Sequence, residues 1–436
     1  MNLRKLISGF ATTVLIATAF SLVSWASKHR VENRDFGTAI NATLDAFSSF
    51  PDLFSQALEE TAALPPTFVK TAEDFEPVNL LDDRGLDVKA LITYSSGRGQ
   101  RGIGLINLRN GDTLHHWDVR GGFQPNARIM HPLLLPEKRI VYSMNGLPHI
   151  RCIDSTGVEI WKNTAFEHHH AFNLDHLGRI WACTYDRELG ADGRNKFLKY
   201  DAHFKLNGRR FDFVDNEVTC FDPATGETLF SRSIAQLFAD HGLGHLVFRS
   251  DKSDDPYHLN DVQPALEDGP YFMAGDLFLS FRSLSAIVQY RPGTDEIIRV
   301  ITGPFYAQHD VDLLDDHTLA LFNNHSPIGR PQNKKDWPMV VDSAQVSLGD
   351  FHSGILLYDF ENEDFTPVQP AIFEQENIFT YTEGLFELLP GGAWFVEEQN
   401  DGILWVIDSI GVCYRGILPS QHPGHHHLSN WTRIIH

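Results

Sequence analysis

Cysteine is scarce in this chain: four thiols in 436 residues are too few for a disulfide scaffold. Cys152, Cys183, Cys220 and Cys413 all sit in apolar, strand-like stretches and read as small buried hydrophobes. Basic residues are also short, 36 Lys and Arg against 57 Asp and Glu, and the net charge of −21 leaves no basic stripe for a nucleic acid. No G-x-x-x-x-G-K-[ST] run is present, so the chain has no P-loop cradle for a nucleotide. Long apolar runs are equally rare, with one exception. Arg4 and Lys5 precede an apolar stretch from Leu6 to Ala26, long for a cleaved signal and just long enough to span a bilayer. Ser24-Trp25-Ala26 is a passable cleavage site, but an uncleaved membrane anchor is the favoured expectation. In both cases the bulk of the chain is expected outside the cytoplasm, in a periplasmic or extracytoplasmic compartment.

From Lys28 to about Asp83 there is no strand pattern. Phe36 to Ala63 reads as helix interrupted near Pro51 and ended by Pro65-Pro66, a stalk or cap. From Leu86 onward, strand–turn–strand units take over: IGLINLRNGDTLHHW, HIRCIDSTGVEIW, VTCFDPATGETLF, IVQYRPGTDEIIRV, ILLYDFENEDFTPV and LWVIDSIGVCYRG. Each reads as the outer hairpin of a four-stranded unit, and five are preceded by two further strands. Small sheets recurring along a chain need neighbours on both faces, which predicts a propeller rather than a sandwich. The first unit lacks an innermost strand, and the segment from Ser429 (SNWTRIIH) can supply it. The expectation is an all-β, six-bladed propeller of four-stranded blades over 86–436, closed by the C-terminal strand. A targeting segment over 1–27 and a helical stalk over 28–85 precede it.

Four histidines recur near the starts of successive inner strands: His131, His170, His258 and His309, each followed four residues later by Leu or Val. Inner strands of a propeller line its axis, so these imidazoles are expected at one mouth of the central channel. The ends of the second strands bring Tyr185, Arg282, Asn323, Asn324 and His325 to the same face. Insertions at 187–216, 231–257 and 326–353 fall there as well, as binding loops do. Arg282 in an apolar strand calls for an anionic partner, because a buried unpaired guanidinium is costly. A mouth lined by His, Arg, Asn and Tyr suits an oxyanion. Of the triplets, 168–170 leaves open which imidazole faces the mouth, and 425–427 reads as a solvated loop.

The stretch from Gly275 to His325 resembles the core of the bacterial-type arylsulfate sulfotransferases. The matching motifs are His258-Leu259-Asn260, Ser280-Phe281-Arg282 and Gln308-His309-Asp310, with the triplet His168-His169-His170 and Asn173 upstream. The resemblance covers roughly Leu86 to Trp431. It implies a six-bladed periplasmic propeller that moves a sulfuryl group from a phenolic sulfate ester to a phenolic acceptor without PAPS or another cofactor, through a sulfohistidine. The well-known members carry an N-terminal β domain in place of the helical stalk expected here. On this reading His309 is the nucleophile, and Arg282, Asn260 and His258 meet the charge on the transferred group. His170 carries the proton, while His169, Tyr185, Asn324 and His131 contact substrate. No metal is expected. Two other readings stand beside it: a non-catalytic exported propeller that binds an anionic ligand or partner, and a His-ligated copper or zinc site, which Arg282 opposes.

Overall fold

The computed structural model describes residues 14–16, 18–26, 40–41, 43–44, 64–95, 101–119, 128–144, 149–186, 202–250, 252–326 and 351–435. All six hairpins expected from the sequence form. Five of them complete four-stranded blades. Blade 1 joins Lys89–Ser95, Arg101–Asn107 and Thr113–Val119 to Arg433–Ile435; blade 2 runs from Leu133–Leu135 to Glu159–Asn163. Blade 3 comprises Phe166–Leu174, Ile180–Asp186, Glu217–Phe221 and Thr228–Ser233. Blade 4 spans Leu259–Pro264 to Glu296–Ile301, and blade 5 spans His309–Leu313 to Asp364–Val368. The remaining meander, Leu385–Leu388 to Val412–Pro419, belongs to a seven-stranded sheet.

The count of four-stranded blades is therefore five, not the six expected. The difference arises because Val412–Pro419 has a free outer edge, which other segments cover. His425–His427 pairs with it and with Phe68–Lys70, and Val78–Asn79 pairs along it as well. Strands thus occur at 68–70 and 78–79, within the region read as strandless, and the triplet at 425–427 is a strand rather than a solvated loop. His426 and His427 are buried. Closure follows the expectation, since Arg433–Ile435 pairs antiparallel with Lys89–Leu91.

Local chemistry explains the repeating turns. Asp154, Asp222, Asp359 and Asp408 each end the third strand of their sheet and accept a backbone N–H two residues on, at 2.7–2.8 Å. This Asx geometry tightens each hairpin. Second strands such as Leu277–Phe281, wholly buried, are continuous apolar runs because neighbouring sheets cover both faces. Six apolar clusters fill the spaces between successive sheets, and each fully buried Leu or Phe contributes roughly 1.5–3 kcal/mol. The four cysteines are free and buried in this packing; burial pushes the Cys152 thiol up to about 11 and the Cys220 thiol to about 12.

Near the axis, buried carboxylates latch adjacent sheets. Asp261 accepts the Val311 N–H at 2.7 Å, and Asp310 accepts the Phe386 N–H at 2.8 Å. Glu397 accepts both the Trp431 and Thr432 N–H groups at 2.8 Å. Each latch satisfies a backbone donor that the turn into an inner strand would leave unpaired.

The segment expected to act in targeting is helical at 14–16 and 18–26, with Leu15, Phe20 and Leu22 exposed; its other residues lie outside the described set. Among the described residues, no helix is long and apolar enough to cross a membrane. Of the expected stalk, 40–41 and 43–44 are helical, and 28–39 and 45–63 lie outside the described residues, as do 187–201 and 327–350 of the insertions.

Candidate active site

Six residues beside the inner strands share an uncommon backbone. Trp431, His131, His170, His258, Asp310 and Glu383 all have φ between 43° and 64°, one for each sheet of the ring. None is glycine, so each carries left-handed strain of about 1–2 kcal/mol that the surrounding packing must offset. In blade 5 the left-handed position is Asp310, and His309 precedes it. Strand pairing also separates His309 from His258, but shifts it one residue the other way. Leu259 faces Phe281 and His309 faces Phe322, with bulges at Asn260 and Asp310, so His258 matches Gln308. The four histidines are thus not in one register: His309 is offset by a residue from its three counterparts.

The histidines nevertheless converge. His170 and His258 touch through their Nε2 atoms at 3.0 Å. The His170 ring centre lies 5.6 Å from that of His309, and His169 stacks on Tyr185 at 3.9 Å. His169, His170, His258, His309, Tyr185 and Arg282 all line one cavity of about 440 Å³. His168 does not line it: its Nε2–H donates to the Ala171 carbonyl at 3.1 Å and its ring stacks on Phe172.

His131, Asn260 and Asn324 do not line this cavity. The His131 ring packs edge-on against Trp431 at 5.4 Å. Asn260 donates to the Gln308 carbonyl at 2.7 Å, so it braces the residue before His309 rather than meeting a substrate. Asn324 donates to the Thr380 and Glu383 carbonyls at 2.9 and 2.6 Å, which fixes its amide orientation. Its Oδ1 must then accept from His309 Nδ1, at 2.6 Å. The proton of His309 is thereby held on Nδ1, and Nε2 keeps its lone pair.

His258 is held differently. Its Nδ1 donates to Asp255 Oδ2 at 2.5 Å, while Asn216 donates to the other carboxylate oxygen at 3.0 Å. Burial opposes ionisation of Asp255, but the charge and hydrogen bond of His258 hold its carboxyl well below the usual range. Burial lowers His258, and Asp255 opposes that shift. His309 has no such partner: burial, then the nearby Arg282 guanidinium, push it well below the usual imidazole range. Burial and the neighbouring imidazoles do the same to His170. The cavity thus contains a neutral imidazole with a free lone pair, a second imidazole set on a carboxylate, and a buried guanidinium. That set can accept a group at nitrogen, move a proton and balance an anion.

The family model for arylsulfotransferases matches residues 131–414. The chain belongs to the arylsulfotransferase family. A search of curated proteins finds no significant match. Among solved structures, a protein of unknown function from Bacteroides caccae overlaps 80% of this chain and 99% of its own, at 10% identity and a TM-score of 0.48. Hydrazine synthase of Kuenenia stuttgartiensis covers 72% and 71% at 9% identity, with a TM-score of 0.42. A catalytically inactive virginiamycin B lyase from Staphylococcus aureus with quinupristin covers 80% and 89% at 12% identity, with a TM-score of 0.37.

Several residues of this arylsulfotransferase site escaped the sequence reading. Asp255 stands three positions before His258, a D-x-x-H signal that could have been found. Trp431 occupies the left-handed position of the closing strand and packs on the rings of His131, His170 and His309 at 5.4, 5.2 and 6.1 Å. Glu383 lines the cavity and is clamped by both Arg128 nitrogens at 3.0 and 2.7 Å. Among the described residues, only Asp315, Asp316 and His317 bring three possible metal-ligand atoms within 4.8 Å of one another, on an exposed turn. The imidazoles of the cavity do not form such a group.

Proposed function

We propose that this arylsulfotransferase transfers a sulfuryl group from a phenolic sulfate ester to a phenolic acceptor, in two steps through a sulfohistidine on His309. The observation that carries the reading is the Asn324 latch, which leaves the Nε2 lone pair of a neutral, buried imidazole facing the cavity. In the first step Nε2 attacks sulfur, the S–N bond forms and the S–O(aryl) bond breaks. The leaving phenolate takes a proton from the His170–His258 pair. In the second step the acceptor phenol returns a proton to that pair as its oxygen attacks sulfur and the S–N bond breaks. Arg282 balances charge on the sulfuryl oxygens.

Acid–base work falls to the pair rather than to His170 alone, because only His258 has a carboxylate partner to stabilise its imidazolium. No nucleotide donor enters either step. The test is phenol-dependent release of 4-nitrophenol from 4-nitrophenyl sulfate, with intact-mass detection of a sulfuryl group on His309. If acceptor does not accelerate release, the chain is a binding protein for an anion. The reading also takes 6–26 as a membrane anchor, the chain from 28 to about 63 as a stalk, and the ring with its edge strands at 68–70 and 78–79 as lying outside the cytoplasm. Carbonate extraction of membranes and N-terminal sequencing of the exported chain test that arrangement.

A further inference from the structure

A second cavity, of about 630 Å³, adjoins the first, and Asp254 lines both. One wall is the hairpin Ala202–Leu206 and Arg209–Phe213, inserted between the second and third strands of blade 3. The facing wall is formed by residues of 247–250 and 252–256, tied to the base of the hairpin by the Val214 N–H donating to the Asp254 carbonyl at 2.8 Å.

Its lining is aromatic, and the rings form a series. Phe248 packs edge-on against Phe204 at 5.1 Å, and Phe211 stacks on Phe204 at 5.1 Å. Phe204 approaches Phe213 at 6.3 Å, and Phe213 meets Tyr257 at 5.6 Å, the residue before His258. Phe213 and Tyr257 are buried, whereas Phe211 is 41% and Phe248 62% exposed. Exposed aromatic rings grouped at a concavity mark a binding surface, because ring faces stack on other rings. Polar groups are interleaved with them: Ser250, Ser253 and Asp254. Arg210 pairs with Asp212, and the charge of Lys252 is offset by that of Asp254, so the lining favours a guest without net charge.

We propose that this cavity is an acceptor subsite that stacks the outer rings of a polycyclic phenol while its inner hydroxyl reaches His309. The proposal rests on the transfer reading for that second half, but the cavity itself can be tested without turnover. The His309→Ala protein, unable to form the adduct, is titrated calorimetrically with phenol and with quercetin, a three-ring polyphenol. Quercetin is expected to bind at least about tenfold more tightly than phenol. Phe211→Ser with Phe248→Ser in the same background is expected to weaken quercetin about tenfold and to leave phenol within about twofold. Phe248→Ser alone, at the more exposed position, serves as a fold control by thermal melting and is expected to give part of the loss. Equal weakening of both ligands, no weakening of either, or no binding of quercetin overturns the subsite. Selective loss of quercetin in a protein whose wild type transfers no sulfuryl group keeps the subsite and removes the transfer reading.

Discussion

His258 and His309 begin adjacent inner strands, yet one leans on a carboxylate and the other on an amide. A carboxylate partner adds negative charge and favours the imidazolium. An amide fixed by two carbonyls orients the ring and names the tautomer without supplying charge. On the proposed mechanism the same side chain is thereby prepared for two jobs, proton carriage at His258 and attack through nitrogen at His309. The lesson is that the partner on Nδ1, rather than the histidine, assigns the role.

This contrast can be broken most sharply at the nucleophile. His309→Ala is expected to lower phenol-dependent turnover of 4-nitrophenyl sulfate by about 10⁴-fold or more, and to remove the sulfuryl adduct from the intact mass. Removing the charge from the other side, Asp255→Asn, is expected to cut kcat by roughly 10²–10³-fold. It should also move the pH profile toward lower pH, since His258 loses the group that raises its proton affinity; an unmoved profile refutes the division of roles. Asn324→Leu strips the tautomer lock, and a fall in kcat of about 10²-fold is expected. The stability cost there should be only about 1–3 kcal/mol in denaturant unfolding, from carbonyls left unpaired.

The smallest expected effect concerns pH and stability at the axis. Burial raises Asp261 from 3.8 and Glu397 from 4.5, each to about 7 in the folded chain. At these two groups the folded state therefore holds more protons than the unfolded state between these limits, so their contribution to stability grows as pH falls through 7 toward 5 and levels off above, while the buried neutral histidines act in the opposite sense. Thermal melting of the wild type and of Glu397→Gln at pH 5.5 and pH 8 isolates this effect, because the histidines are common to both. The melting temperature of the wild type relative to the variant is expected to be a few degrees higher at pH 5.5 than at pH 8, and the reverse order would show that this latch is ionised when folded.

Most of the ring was legible in the residues. Asp-centred turns, two-residue periodicity and a spare terminal strand announce themselves locally, and all were found where the pattern placed them. Less legible was the seven-stranded sheet, because Phe68–Lys70 and Val78–Asn79 are too short to show alternation and depend on an edge several hundred residues away in the chain. In the site, His170, His258, His309 and Arg282 could be read from spacing and motif. The left-handed positions could not, because His, Asp, Glu and Trp all fill them and φ leaves no mark on composition. That is why His309 looked in register with its neighbours, and why the carbonyls that Asn260 and Asn324 meet could not be foreseen. Residue type identifies a hydrogen-bonding group, but its direction comes from the bulge beneath it.

The wedge of Trp431 between the rings of His131, His170 and His309 has a bearing on biosynthesis. A nascent polypeptide emerges with its last segment hindmost, so five sheets can be translated while one wall of the reaction chamber is still inside the ribosome. Any product cut short before residue 431 would lack both the indole plug and the strand that seals blade 1. Chemical competence in this molecule therefore arrives late, with the same few residues that shut the circle.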